Sequence, residues 1–168
     1  MMRSPQPRGK IQMAEKSPSA PRELARNRRA RHDLEIVETL EAGLILLGSE
    51  VKSVRAGRIS LDEAWVRVKP EGAFLEKARI AEYEQAGRMN HDPLRPRPLL
   101  LHKRQHAHLL AQTKQQSLVT VPLRVLAVGR WIKLEIGLGK PKKLHDKRES
   151  EKTRDAKREA ARATKKVR

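Results

Sequence analysis

The sequence predicts a mainly β protein: a small, closed or nearly closed antiparallel barrel of about six short strands with one short and one longer helix. Three observations predict it. Short alternating apolar runs recur between Gly- and Pro-containing turns, only two stretches carry helical signals, and after Gly139 the composition changes abruptly to a basic tail. Beyond Leu144 the sole aliphatic side chain larger than alanine is Val167, so this tail cannot build a core.

Residues 1–26 hold Pro5, Pro7, Pro18 and Pro21 among Ser, Gln, Lys and Arg, with too little apolar surface to offset ordering entropy, and are expected to be a disordered basic extension. The globular unit is expected over 27–144, its structure beginning near His32. Leu34, Ile36 and Leu40 share one strand face against Glu35 and Thr39, and the continuous run Gly43 to Leu47 reads as a strand covered on both sides. Ser49 is a candidate N-cap for a short helix, with Glu50 complementing the helix dipole and Gly57 stopping it.

Ala64, Val66 and Val68 alternate with Trp65, Arg67 and Lys69; Pro70-Glu71-Gly72 turns the chain, and Ala73 to Ile80 returns. Residues 89–98 form a loop holding Asn90-His91-Asp92-Pro93, a capped-turn signal, with Arg95 and Arg97 placed to approach a nucleic-acid backbone. The longer helix spans 99–116, with Leu100, Ala107, Leu110 and Ala111 broadly on one face. Two long strands close the unit. Val119, Val121, Leu123 and Val125 share a face in the first, where Pro122 marks an edge or a bulge. After the reversal at Gly129-Arg130, Ile132, Leu134 and Ile136 make the apolar row of the second. Trp65, Phe74 and Trp131 fall in strand patterns and are expected in the core.

Charge is distributed unevenly. The net of +18 divides into +7 over 1–31, +3 over 32–138 and +8 over 139–168, so a nearly balanced body lies between two cationic ends. Such ends are attracted to polyanions through phosphate contacts and counterion release, which points to nucleic acid. Two Trp, one Tyr and one Phe argue against reading a single strand by serial stacking and favour a folded RNA. The tail, 145–168, is rich in helix formers; Asp146 and Glu149 make a capping-box-like start, and Arg154, Arg158 and Arg162 lie four apart in a basic stripe. We expect it to be disordered alone and helical when bound.

Catalytic chemistry has little purchase. No cysteine is present, and no Gly-rich phosphate loop or nucleophile elbow is visible. His102 and His106 could share a helix face as metal ligands, and Asp62-Glu63 or Glu82 and Glu84 could hold a nuclease metal. Neither spacing is specific. No cofactor, metal or catalytic residue is assigned. The default location is the cytoplasm, since no secretory signal or membrane segment is recognised.

The segments Gly48-Ser49-Glu50-Val51-Lys52-Ser53-Val54-Arg55-Ala56-Gly57, Asn90-His91-Asp92-Pro93, Leu99-Leu100-Leu101-His102, Val121-Pro122-Leu123, Glu135-Ile136-Gly137-Leu138 and Lys142-Lys143-Leu144-His145-Asp146-Lys147-Arg148-Glu149 appear in that order. Together they closely resemble the SsrA-binding protein (small protein B) family, from about Asn27 to Ala163. Leu34 stands where an aromatic is common, Pro98 where a basic residue is usual, and Pro141 in a stretch that often contains Gly.

The resemblance implies an oligonucleotide-binding-type barrel that binds the tRNA-like domain of transfer-messenger RNA and delivers it to stalled ribosomes for trans-translation, without being an enzyme. The partners implied are that RNA, the ribosome with its 16S rRNA, and elongation factor Tu with the charged RNA. By matching motif, Glu50, Lys52, Asn90, Lys140, Lys142 and Lys143 are implied at the RNA face. His145, Asp146, Lys147 and Arg148, followed by Arg154, Arg158 and Arg162, are implied in a tail that enters the decoding centre and the empty mRNA channel. Without the resemblance, a ribosomal or ribosome-assembly protein with basic tails fits the composition equally.

Overall fold

The two longest strands, β2 (Leu34–Leu44) and β9 (Trp131–Pro141), lie antiparallel and carry the frame. The structure is a computed structural model that describes residues 21–115 and 118–142. Its other strands are β1 (Arg22–Arg26), β3 (Ile59–Ser60), β4 (Trp65–Lys69), β5 (Gly72–Glu76), β6 (Arg79–Ile80), β7 (Arg97–Leu100) and β8 (Val119–Val128). The helices are α1 (Ala30–Asp33), α2 (Gly48–Arg55) and α3 (Lys103–Gln115).

Seven strands form one antiparallel sheet in the order β1-β8-β9-β2-β7-β5-β4, and β3 pairs with β6 apart from it. The sheet curls until its last strand meets β8, where the Thr120 hydroxyl donates to the Val66 carbonyl at 2.6 Å. Six strands thereby make a nearly closed ring, the number expected from sequence. β1 adds to the half of β8 that β4 does not reach, pairing Arg22 with Ala127 and Arg26 with Arg124.

Alternation decides what fills the ring. Ile132, Leu134, Ile136 and Leu138 of β9 are buried, as are Val66 and Leu75 on the facing hairpin, and Val54 of α2 plugs one end. A bulge between Pro122 and Arg124 switches the parity of β8. Thr120 and Pro122 face inward before it and Val125 after it, while Leu123 is buried on the other face beside Gly137 and Ile36, and Val119 is exposed. The reversal into β9 rests on Gly129, whose φ of 59° suits a residue without Cβ. A smaller cluster of Leu109, Leu118 and Leu138 lies beneath α3.

Several expectations are corrected. Residues 22–26 are not part of a disordered extension: they form β1, with Leu24 and Ala25 packed against the core. The covered strand ends at Leu44; Ile45 and Leu47 are exposed. The return strand breaks at Lys77, whose φ of 53° redirects Arg79 and Ile80 to pair with β3. Leu99 and Leu100 belong to strand β7, not to the longer helix, and Leu109 rather than Ala107 is that helix's buried residue. The covering of β7 by neighbours on both sides, β2 and β5, overrides the helical spacing.

Close approach of β2 and β9 requires Gly139. A Cβ there would lie 2.6 Å from the Glu35 carbonyl oxygen, which is backbone and cannot swing aside. Gly139→Ala is therefore expected to destabilise the fold by about 1–3 kcal/mol, as overpacking does. Gly48→Ala, with nothing within 4 Å, should change stability by no more than about 0.5 kcal/mol. Urea unfolding of both variants checks the contrast.

Candidate nucleic-acid interface

One ion cluster, with Glu50 and Arg97 buried and Arg95 at its edge, positions the elements around α2. The Glu50 carboxylate, 0% exposed, accepts from Arg97 Nε at 2.9 Å and from Arg95 Nη2 at 2.7 Å. It also accepts from the backbone N–H of Leu47 at 2.8 Å, and so caps its own helix from the third position. Arg97 is likewise 0% exposed and spends its remaining donors on the carbonyls of Ala78 (2.6 Å) and Pro93 (3.0 Å). The cluster therefore ties together α2, the connection between β5 and β6, the 90–95 loop and β7.

Its electrostatics follow from burial and pairing. Burial pushes the Glu50 carboxyl pKa up, but hydrogen bonds from Arg95 and Leu47 and the charge of Arg97 outweigh it and hold the group below its ordinary value. Burial pulls the Arg97 guanidinium below its ordinary value, with Glu50 opposing.

The neighbouring loop is built from local side-chain bonds. Asn90 accepts from the Tyr83 N–H at 3.1 Å and donates to the Tyr83 carbonyl at 3.0 Å, closing the loop on itself. His91 is buried, with one ring nitrogen 2.9 Å from the Ser49 hydroxyl and the other 3.3 Å from the Ile80 carbonyl. Asp92 accepts from the Leu94 N–H. The Lys52 ammonium sits 4.9 Å from the Tyr83 ring centre, on the exposed side of α2.

The residues expected at an RNA face thus divide. Glu50 and Arg97 have no exposed surface, which corrects the expectation that they meet RNA directly. Their chemistry places them beneath the surface, as supports. Lys52 is exposed, and Asn90 braces the loop beside it. Lys140 is exposed opposite Glu35, and Lys142 lies next to α1. Both are at the far end of the β2–β9 ladder, roughly 30 Å of strand from α2 at about 3.3 Å per residue. Lys143, His145, Asp146, Lys147, Arg148, Arg154, Arg158 and Arg162 lie outside the described residues. His106 donates to or accepts from none of the acids: its ring meets the Lys69 carbonyl at 2.8 Å, and His108 meets Glu38. Among the described residues no group of three or more His, Asp or Glu could hold a metal ion.

A surface that sequence reading missed lies on the outer wall. Trp131 is 68% exposed and stands with Leu100, Ile45 and Leu46 in an apolar patch bordered by Arg130 and Lys133. The Arg55 guanidinium donates to the Arg130 carbonyl at 3.0 Å, linking α2 to the turn beneath Trp131. Alongside, Glu41 and Lys133 pair at 2.9 Å across a shallow groove lined also by Leu101 and His102. Gly43 lets Leu100 approach, since a Cβ there would sit 3.2 Å from that side chain. Apolar surface with a rigid indole and flanking cations suits ribose and base faces beside phosphates.

Removing charge from the buried carboxylate leaves the buried Arg97 guanidinium uncompensated and takes the ionic partner from half-buried Arg95, so Glu50→Gln should cost about 3–5 kcal/mol. The pH dependence follows from the lowered folded-state pKa. The stability due to Glu50 is complete above its unfolded pKa of about 4.3 and is lost as pH falls through the folded value. Denaturation between about pH 6 and pH 2 should show a flatter acid-side fall for Glu50→Gln than for the parent chain.

Comparison with known proteins places this geometry. The family described as "SmpB protein" matches residues 24–166. A curated SsrA-binding protein of Shouchella clausii is 51% identical over 142 residues, covering 84% of this chain and 91% of its own. That of Latilactobacillus sakei is 48% identical over 155 residues, 92% of this chain and 99% of its own. A solved structure described as "tmRNA-SmpB: a journey to the center of the bacterial ribosome" is 44% identical, superimposes with a TM-score of 0.59, and covers 71% of this chain and 84% of its own. With a match reaching from β1 through the barrel into the basic tail, at about half identity, this chain belongs to the SmpB protein family.

Proposed function

We propose that this chain binds transfer-messenger RNA and acts with it on the bacterial ribosome in trans-translation. The observation that carries this reading is the cation-bordered apolar face around Trp131, held on a rigid barrel wall in a chain that shares 44% identity with a protein solved in a tmRNA–SmpB ribosome setting.

The barrel grips the tRNA-like domain. A folded L-shaped RNA offers ribose edges and a few unstacked bases near its elbow, which the Trp131–Leu100 face meets by contact, while Arg130, Lys133 and Lys52 neutralise phosphates. Glu50 and Arg97 act one layer below, fixing α2 and the Asn90 loop so that the face needs little ordering on binding. The tail residues His145, Asp146, Lys147 and Arg148, and the stripe Arg154, Arg158 and Arg162, take the second partner: 16S rRNA at the decoding centre and the empty mRNA channel. Elongation factor Tu joins through the charged RNA. No bond is made or broken by the protein in this reading, so it is a binding protein rather than an enzyme, and its place is the cytoplasm, with the ribosome. No helix among the described residues is long and apolar enough to cross a membrane.

Two measurements test the reading. In a gel-shift competition, a tRNA-like RNA should displace the probe better than duplex RNA of equal length, with affinity falling steeply as salt rises. Trp131→Ala should weaken that binding roughly 5- to 100-fold, the worth of one aromatic stack. Equal competition by the duplex would refute the reading. Separately, deleting residues 146–168 should keep most of the RNA affinity and abolish tagging of stalled chains; normal tagging by the shortened protein would refute the tail's role.

A further inference from the structure

The single-turn helix α1 is fastened at both ends, and neither fastening serves the RNA face around Trp131. At its start, buried Asn27 accepts through its side-chain oxygen from the N–H groups of Arg29 (3.1 Å) and Ala30 (3.0 Å). The same residue donates from its side-chain amide to the Leu61 carbonyl and from its backbone N–H to the Leu123 carbonyl. α1 is therefore bolted to β8 and to the segment leading into β4. At its other end two carbonyls receive Lys142: the Asp33 carbonyl takes its backbone N–H at 3.0 Å, and the Arg31 carbonyl takes its ammonium at 3.1 Å.

A helix leaves its last carbonyls without partners, and a cation there is favoured by both hydrogen bonding and the helix dipole. Lys142 supplies both. The preceding Pro141, opposite Leu34, has its φ fixed by its own ring. The sequence continues for 26 residues with eleven Lys and Arg against five acids.

We propose that α1 is a bracket that sets the direction in which the C-terminal segment leaves the barrel, with Lys142 as its positioning residue. The inference rests on the proposed role of that segment inside the ribosome. A chain rooted in one orientation searches a smaller volume than one rooted loosely, so a fixed root raises its effective concentration at a target held at a set distance from the barrel. Lys142 then acts through the chain it aims, in place of the direct RNA contact that the resemblance implied for it.

The test uses the full-length protein. Because the chain has no cysteine, spin labels on Val37→Cys and Glu149→Cys report one body-to-tail distance distribution. Lys142→Met removes the ammonium, Lys142→Pro removes the ammonium and the N–H, and Lys142→Arg keeps both donors. Affinity for a tRNA-like RNA should stay within about twofold for all three, while the distance distribution broadens for Met and more for Pro. Tagging on stalled ribosomes should fall about fivefold or more for Pro, less for Met, and remain at the parent level for Arg. Unchanged distances and tagging, with RNA affinity intact, would overturn the bracket and leave the proposed function standing. Loss of RNA affinity by Lys142→Met would make Lys142 an RNA contact and overturn it too. If the parent chain shows no preference for tRNA-like RNA, the proposed function fails while the distances still judge the bracket.

Discussion

A carboxylate sealed between two guanidiniums is the constraint on which the rest of this molecule depends. Glu50 and Arg97 come from distant parts of the chain, and neither has any exposed surface. A charge taken out of water is tolerated only with its partner in place and its remaining hydrogen-bonding capacity met. Here every group is met: by Arg95, by the Leu47 amide, and by the carbonyls of Ala78 and Pro93. The arrangement accepts one docking of α2 on the barrel and penalises the others, which an apolar contact would not do as sharply.

That single docking propagates outward. α2 reaches from the buried cluster to the β8–β9 turn through Arg55, and the turn carries Trp131. The surface suited to RNA is consequently an extension of a fixed interior rather than of mobile loops. The distant end of the β2–β9 ladder, with Lys140 and Lys142, is organised separately by α1. The two ends of the barrel are thus braced independently of each other.

Much of this was legible in the residues, and what was not has physical reasons. The row Ile132, Leu134, Ile136 was readable as an inward face, and strict alternation then puts Trp131 outside. The general rarity of exposed indoles obscured a conclusion that parity already contained. The burial of Arg97 could not be read, because an arginine among prolines signals a solvated loop until Glu50 is known to lie beside it. β1 was hidden by the prolines that precede it and by its length of five residues; only pairing with β8 gives it stability. The strand β7 was masked by three leucines in a row, whose spacing fits a helix as well as a strand covered on both sides.

The ring has a seam. Where β4 meets β8, no ladder joins the described residues and the Thr120 hydroxyl reaches the Val66 carbonyl, whereas every other junction of the cylinder is stitched by paired backbone. Thermal breathing of the wall will concentrate along that line, with amide protons of β4 exchanging into solvent ahead of those in β9. The wall is thus held least firmly on the side away from β2, where no ladder joins the described strands.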